Sequence, residues 1–346
     1  MKLVKSISLK TLGTLALPLV MFLAMVIATA SVGKVGLYVN AESMEEILRK
    51  SCMASLIAMG LSVQILNGRF DFTGGINIIL SAYLSGHIAQ AVGGAGSIPL
   101  YIVLCVVFGI LISMLTAFMY KILRMPIIIT SIALTLVYES VPRVLFDGKG
   151  TQLFSDNYLK VLGFTPWVFL ILLVGVLLYF YFKDLSVGGA RARLLANNQM
   201  TAVNIGINET KNLYYTYLFS GALFGLAGII YGATTWIQPG EIGNLSTTSV
   251  AFSNIVPVYI GMFIGFLSYG WVGVLVGAVS IQMLNKGLAV MINGDVSGYY
   301  SMFFGVFMML FWTLSAELNN IKKLFAAIQM KIALRKSNLH APEDPA

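Results

Sequence analysis

Long runs of apolar residues, separated by short polar stretches, occupy most of the chain. A transmembrane helix needs about 20 mainly apolar residues, and ten of the runs reach or approach that length. Continuous runs favour spanning helices over half-buried strands, in which polar and apolar positions alternate. The pattern predicts an all-α, polytopic transmembrane helical bundle of about ten spans. The segments are 11–32, 51–67, 73–92, 98–120, 125–141, 163–182, 213–236, 251–268, 271–290 and 299–317.

The second and third segments are separated only by the stretch Gly68-Arg-Phe-Asp-Phe72. So short an interruption indicates either one broken element or two spans joined by a tight turn. The sequence leaves open whether 51–67 and 73–92 are separate full spans.

The composition excludes several classes of protein. Only 10% of the 346 residues are charged and 58% are hydrophobic, whereas soluble proteins have about 25% charged residues. A soluble enzyme, a secreted disulfide scaffold and a disordered regulator are therefore excluded. Cys52 and Cys105 both lie in apolar runs, and we interpret them as small packing residues.

The first apolar run follows the basic residues Lys2, Lys5 and Lys10. Ala28-Thr-Ala30 resembles a signal-peptide cleavage site, but the run is longer than the 7–15 apolar residues of a signal core. We expect an uncleaved first span.

The basic residues predict the orientation. With the N-terminus inside, the inner loops carry 15 of the 22 Lys and Arg residues and the outer loops carry 6, while Lys286 falls within a span. Cytoplasmic loops of membrane proteins show this excess. The sequence predicts a multi-pass protein of the bacterial inner membrane with both termini cytoplasmic, and its net charge of +8 needs no nucleic-acid partner.

Three polar regions complete the predicted organisation. The inner loop 183–212 is expected to form two short helices between 191 and 205, either as a solvated connection or as a docking surface, because long ordered loops are often functional. The amphipathic outer segment 40–50 is expected to lie on the membrane surface. We assign residues 1–320 to the transmembrane domain and 321–346 to a basic cytoplasmic segment with a disordered tail.

Polar residues within the apolar runs are the candidate functional residues, because a polar group facing lipid is costly. Each of them can instead make a hydrogen bond that only holds helices together. As a set dominated by amides they favour a passage for a neutral, hydroxyl-rich solute, since an ion relay calls for more buried carboxylates. The candidate path consists of Gln64, Asn67, Asp71, Thr73, Asn77, Glu139, Asn254 and Gln282.

Asp71 has a second interpretation. Its carboxylate can cap the following helix by accepting from backbone N–H groups near Thr73 and Gly74. This structural role is compatible with a break that shapes the path indirectly.

Glycines four residues apart recur inside the spans. Such pairs allow helix backbones to approach closely, so we predict a tightly packed bundle or a dimer seam. The pairs are Gly221/Gly225, Gly228/Gly232, Gly261/Gly265 and Gly273/Gly277.

Motifs for ATP binding, hydrolysis and metal binding are missing. The chain contains no G-x-x-x-x-G-K-[ST] and no G-x-S-x-G, and His87 and His340 are its only histidines. We therefore predict no catalytic residue, metal or cofactor in this chain.

Four ordered segments carry a family resemblance. Ile47–Gly68 is similar to a second span, and the next residues match G-G-I-D-L-S-V-G at Gly68, Asp71, Thr73 and Gly75, with Arg69 where a glycine is usual.

Residues 198–207, NQMTAVNIGI, are similar to N-E-x-A-A-x-x-x-G-I, with Gln199 replacing the acid and Thr201 the first alanine. The glycine-rich stretch 270–288 is similar to a late helix. Together the four segments resemble the ten-span permeases of ABC importers for ribose-type monosaccharides, within the branched-chain amino acid and sugar permease superfamily.

The resemblance implies a type II ABC importer-like permease that imports a monosaccharide-like solute and is not itself an enzyme. It implies a second permease copy or paralogue, an extracytoplasmic substrate-binding protein, and a separate, tandem ABC ATPase. It also implies that Asn198, Ala202, Gly206 and Ile207 couple the permease to that ATPase.

Two alternatives remain open. An ABC permease for nucleosides or branched-chain amino acids has the same architecture, and an ion-coupled secondary transporter is a different class. The loop 191–207 favours the ABC class and the scarcity of buried carboxylates disfavours ion coupling. The sequence does not identify the solute, distinguish a homodimer from a heterodimer, or decide which polar residues line the path.

Overall fold

The computed structural model describes residues 2–156, 158–238, 244–265 and 270–292, with scattered positions between 298 and 313. The chain divides into two compact units, Met1–Gly294 and Asp295–Ala346. The continuously described residues all belong to the first unit. The predicted tenth span, 299–317, and the predicted cytoplasmic segment 321–346 lie outside them.

The first unit is built from helices. Its secondary structure comprises α1 (Lys2–Ser31), α2 (Val35–Tyr38), α3 (Ala41–Ile65), α4 (Gly74–Val92), α5 (Ser97–Leu123), α6 (Ile127–Phe146), 3₁₀ turns at Leu153–Ser155 and Leu159–Gly163, α7 (Trp167–Phe180) with a π turn at Tyr181–Leu185, α8 (Val187–Asn197), α9 (Gln199–Asn204), α10 (Glu209–Thr234), α11 (Thr248–Phe252), α12 (Ile255–Gly265) and α13 (Gly270–Met291).

Six helices among the described residues are long and apolar enough to cross a membrane. This confirms the predicted all-α polytopic fold. A shorter apolar stretch, Thr248–Ile264, covers α11 and α12. The six candidates are Thr14–Ser31, Ser97–Leu123, Ile127–Phe146, Trp167–Leu185, Glu209–Thr234 and Trp271–Met291.

Two predicted segments differ from the observed helices. The stretch 40–50 does not form a separate surface helix, because Asn40 caps α3 by accepting from Ser43 N and the helix then runs unbroken to Ile65. The eighth predicted span is interrupted, since α11 ends at Phe252 and α12 begins at Ile255.

The inner loop contains the two short helices that the sequence predicted. The first helix, α8, begins earlier than expected, because the Ser186 hydroxyl accepts from Gly189 N at 3.0 Å and caps it. Gly189 does not break α8. A side chain at this position would collide with the carbonyl oxygen of Phe182, so glycine here permits close packing.

Helix α10 lies at the centre of the first unit and is buried along most of its length. It packs on α3, α4 and α5. A Cβ added to Gly221 would lie 2.6 Å from the carbonyl oxygen of Gly109, and one added to Gly225 would lie 2.5 Å from that of Cys105. The backbones of α5 and α10 are therefore in direct contact, which confirms helix packing as the role of this glycine pair.

The contact between α5 and α10 predicts a local requirement for glycine. Gly221→Ala places a methyl group against a backbone that cannot yield, so we expect a loss of about 1–3 kcal/mol of stability, as for other overpacked cores. Gly36→Ala is the matched control, because no atom lies within 4 Å of its added Cβ. Thermal unfolding of the purified protein in detergent measures both. Equal unfolding temperatures in the two variants would contradict the direct backbone contact of α5 and α10.

Candidate functional site

The interruption between α3 and α4 runs from Leu66 to Thr73; half of its eight residues are buried and Gly68 alone among them is exposed. Gly68 turns the chain with a φ of +69°, a conformation that glycine adopts without strain. Irregular backbone at membrane depth is tolerated only where protein or a water-filled cavity covers it. The break is therefore a built feature of the bundle.

Asp71 organises the exit from the break. Its Oδ1 accepts from Thr73 N at 2.8 Å, and its Oδ2 accepts from Gln64 Nε2 at 3.4 Å. The first bond fixes the turn that leads into α4, as the capping interpretation requires. The second ties the end of α3 to the same carboxylate, so Asp71 holds both sides of the break.

Three phenyl rings close the break on one side. The ring centroids of Phe70 and Phe72 are 5.3 Å apart. The ring centroid of Phe252 lies 5.7 Å from that of Phe70 and 5.2 Å from that of Phe72. Between these rings and Asp71 there is a void of only about 10 Å³, roughly the space of one water. Because Phe252 ends α11, this aromatic cluster joins the two interrupted regions of the bundle.

Glu139 holds the chain that leads into α11. Its Oε1 accepts from Thr247 N at 3.1 Å and from Thr247 Oγ1 at 2.7 Å. Gly75, in the first turn of α4, lies so close to the Thr247 carbonyl that any side chain there would collide with it. Helices α4, α6 and α11 thus meet at Thr247.

The predicted path residues do not form one cluster. Gln64, Asn67, Asp71 and Thr73 surround the break. Glu139 holds Thr247, and the other three residues lie elsewhere. Asn77 donates to Gly109 O and Ser113 Oγ of α5, and Asn254 donates to Val250 O. Gln282 lines a separate cavity.

That cavity has a volume of about 480 Å³ and lies between α3, α10, α13 and the turn at Leu159–Gly163. Glu46 in its wall is ion-paired with Lys50 at 2.6 Å and with Lys286. Burial alone would raise the pKa of the Glu46 carboxyl, but hydrogen bonds from the two lysines outweigh burial and hold this pKa below its ordinary value. The charged Lys286 within a predicted span is therefore compensated.

The predicted coupling residues shape the inner loop. Asn198 caps α9 by accepting from Thr201 N at 3.0 Å, Ile207 N donates to Ala202 O at 3.1 Å, and Gly206 has a φ of +90°. Ala202 is buried. It therefore supports α9 from beneath and does not itself present a contact surface.

The outward surface of this loop is made by residues that the sequence analysis missed. Met200 is 77% exposed, Ile205 65% and Val203 45%. Three exposed apolar side chains within six residues of a polar loop mark an interaction surface. The sequence feature that could have identified these three residues is their apolar character, because the other residues of the loop are mainly polar.

The described residues offer little for metal chemistry. No group of three or more His, Cys, Asp or Glu side chains within them is placed to hold a metal ion.

A family model described as the permease component of a branched-chain amino acid transport system matches residues 43–313. The chain belongs to this permease family. The permease is 24% identical over 318 residues to the ribose import permease protein of Haemophilus influenzae, covering 88% of this chain and 94% of that protein.

Two further relatives are transport permeases. The galactofuranose transporter permease protein of Escherichia coli is 25% identical over 251 residues, which is 70% of this chain and 71% of the relative. The fructose import permease protein of Rhizobium meliloti is 22% identical over 275 residues, or 74% and 73%. The resemblance to monosaccharide ABC permeases is confirmed, and so is the prediction of a transport subunit and not an enzyme.

The geometry of Asp71 predicts the behaviour of two variants. Asp71→Asn keeps an oxygen that accepts from Thr73 N, so the turn and most transport should survive. Asp71→Leu leaves a buried N–H unsatisfied, at a cost of about 1–3 kcal/mol, and should lose both stability and transport. Unfolding temperature and solute uptake by the assembled transporter measure these effects. Wild-type uptake by normally expressed Asp71→Leu would show that the break is ordinary packing.

Proposed function

We propose that this permease is the membrane subunit of an ABC importer that moves a monosaccharide-like solute into the cytoplasm. A separate tandem ATPase hydrolyses ATP, and an extracytoplasmic binding protein delivers the solute. The ribose, galactofuranose and fructose permeases among its relatives support the sugar assignment. The exposed apolar surface of Met200, Val203 and Ile205 carries the assignment to an ATPase-driven system.

The docking surface has the form that such a partner needs. It projects from a short helix capped at Asn198 and is supported by the buried Ala202. A rigid apolar surface loses little conformational entropy on docking. Displacement of the docked surface would then move the helices that flank it. The ATPase occupies this surface in the proposed complex.

The break between α3 and α4 forms part of the path in this proposal. In the described conformation the aromatic cluster of Phe70, Phe72 and Phe252 blocks it. Solute passage then requires the cluster to separate, which exposes Asp71, Gln64 and their neighbours to the path. A second permease copy or paralogue completes the passage.

Branched-chain amino acid import is the second candidate, because the description of the matching family names it. Proteoliposomes containing the permease, its ATPase and its binding protein distinguish the two. We expect uptake of labelled ribose or galactose and none of leucine. Leucine uptake without sugar uptake would replace the first candidate with the second.

The docking surface predicts uncoupling by surface charge. Met200→Glu or Val203→Glu should abolish solute-stimulated ATP hydrolysis and uptake while leaving membrane insertion intact, because an apolar contact is replaced by a charge. Ala202→Leu and Gly206→Val should act similarly by distorting the loop. Val39→Glu, the same change at an exposed apolar residue near the opposite ends of the helices, is the control. Unchanged coupling in all four loop variants would rule out this docking site.

The proposed orientation places α9 in the cytoplasm. Cysteine introduced at Asn204 should react with a membrane-impermeant maleimide only after the cells are opened, whereas cysteine at Val39 should react in intact cells. The natural Cys52 and Cys105 are both buried, so their background labelling should be low. Labelling of the Asn204 position in intact cells would reverse the orientation.

A further inference from the structure

Arg69 belongs to the break, but its side chain reaches the inner loop. Its Nη2 donates to Glu209 Oε1 at 2.6 Å, and the side chains are 8% and 32% exposed. The Arg69 guanidinium also lies over the ring of Tyr120 in α5, 5.6 Å from the centroid. Because the Arg69 side chain is buried, removing Glu209 would leave its charge uncompensated, so this contact favours the present position of the loop.

The two residues before Arg69 also contact the helices that flank the loop. A Cβ added to Gly68 would lie 3.1 Å from Ala196 Cα, so α8 packs directly on the break. Asn212 Nδ2 of α10 donates to Asn67 Oδ1 at 3.3 Å. Three successive residues of the break are therefore attached to the ends of the docking loop.

The position of this ion pair links two features already described. Glu209 is the first residue of α10 and follows Ile205 of the docking surface by four positions. Arg69 directly precedes Phe70 of the aromatic cluster. A displacement of α9 that moves the start of α10 therefore pulls on the backbone that carries Phe70.

We propose that the Arg69–Glu209 ion pair transmits movement of the docking loop to the aromatic cluster, and that both residues are positioning residues for energy coupling. This inference rests on the proposed function. An element that couples two sites must have two arrangements, and each site must favour one of them over the other. Here the two sites are the docking surface and the aromatic cluster. Arg69 Nη1 is buried without a hydrogen-bond partner among the described residues, so the guanidinium keeps a spare donor for a second acceptor when the loop moves.

The first test compares solute imported per ATP hydrolysed in the complete reconstituted transporter. Arg69→Met and Glu209→Gln should each lower this ratio about tenfold, within the range of ordinary coupling contacts. The charge reversal Arg69→Glu with Glu209→Arg should restore most of it, and Arg69→Lys should be intermediate, because lysine keeps the charge but loses the planar contact with Tyr120. Glu45→Gln is the control, since Glu45 is 50% exposed and pairs with Arg49 of the same helix at 4.0 Å.

The second test measures the break directly. In the wild type, binding of the ATPase should change hydrogen exchange of the amides at 66–73. In Arg69→Met the ATPase should still bind but this change should be lost, an effect that reduced stability alone does not produce. If the single variants do not assemble, the solute imported per ATP hydrolysed by the charge-reversed and Arg69→Lys proteins decides whether the ion pair is needed for coupling.

The outcomes separate the inference from the proposed function. Wild-type coupling and wild-type exchange in the Arg69 and Glu209 variants would overturn the inference. If Met200→Glu still lost coupling in that case, the proposal of a docking site would stand. Normal coupling in both sets would overturn the docking site as well.

Discussion

Backbone hydrogen bonding inside a bilayer is the constraint on which this structure depends. Hydrocarbon offers no partners, so each N–H and C=O must find one within the protein. The break between α3 and α4 is possible because Asp71 accepts from Thr73 N and protein covers the turn on most sides. Glu139 provides the same support for the chain at Thr247. The entries into α4 and α11 thus each have a buried carboxylate that accepts from a backbone N–H group.

The close contact of α5 and α10 makes these supports effective. Glycines at 109, 221 and 225 bring the two backbones together. Helix α10 is therefore held in close contact at the centre of the first unit. Helix α10 begins at Glu209, directly after the loop that carries α8 and α9. Its middle packs on α3 and α4, which carry the break. A movement of this loop would therefore act on a helix that packs closely against the helices carrying the break.

The sequence predicted the helices better than the contacts between them. Apolar runs and glycine spacing identified α5, α6, α10 and α13, because lipid imposes its length on a span. Capping by Asn40 extended α3 beyond its apolar run, and capping by Ser186 started α8 before the predicted residue 191. The predicted path residues separated because polarity within a span does not reveal direction. Asn77 faces α5, for example, while Gln64 faces Asp71. The aromatic cluster and Arg69–Glu209 join residues far apart in sequence, and such contacts leave no pattern in a single sequence.

The aromatic cluster has a consequence for the energetics of the cell. Phenyl rings offer no hydrogen-bond donors or acceptors along which a file of water molecules can form, and the void behind them holds about one water at 10 Å³. If the solute path runs through the break as proposed, a resting permease closed in this way would conduct neither protons nor small ions, and the electrochemical gradient across the membrane would be preserved. A bacterium could then keep many copies of such a protein in its membrane without dissipating the gradient that drives its other work.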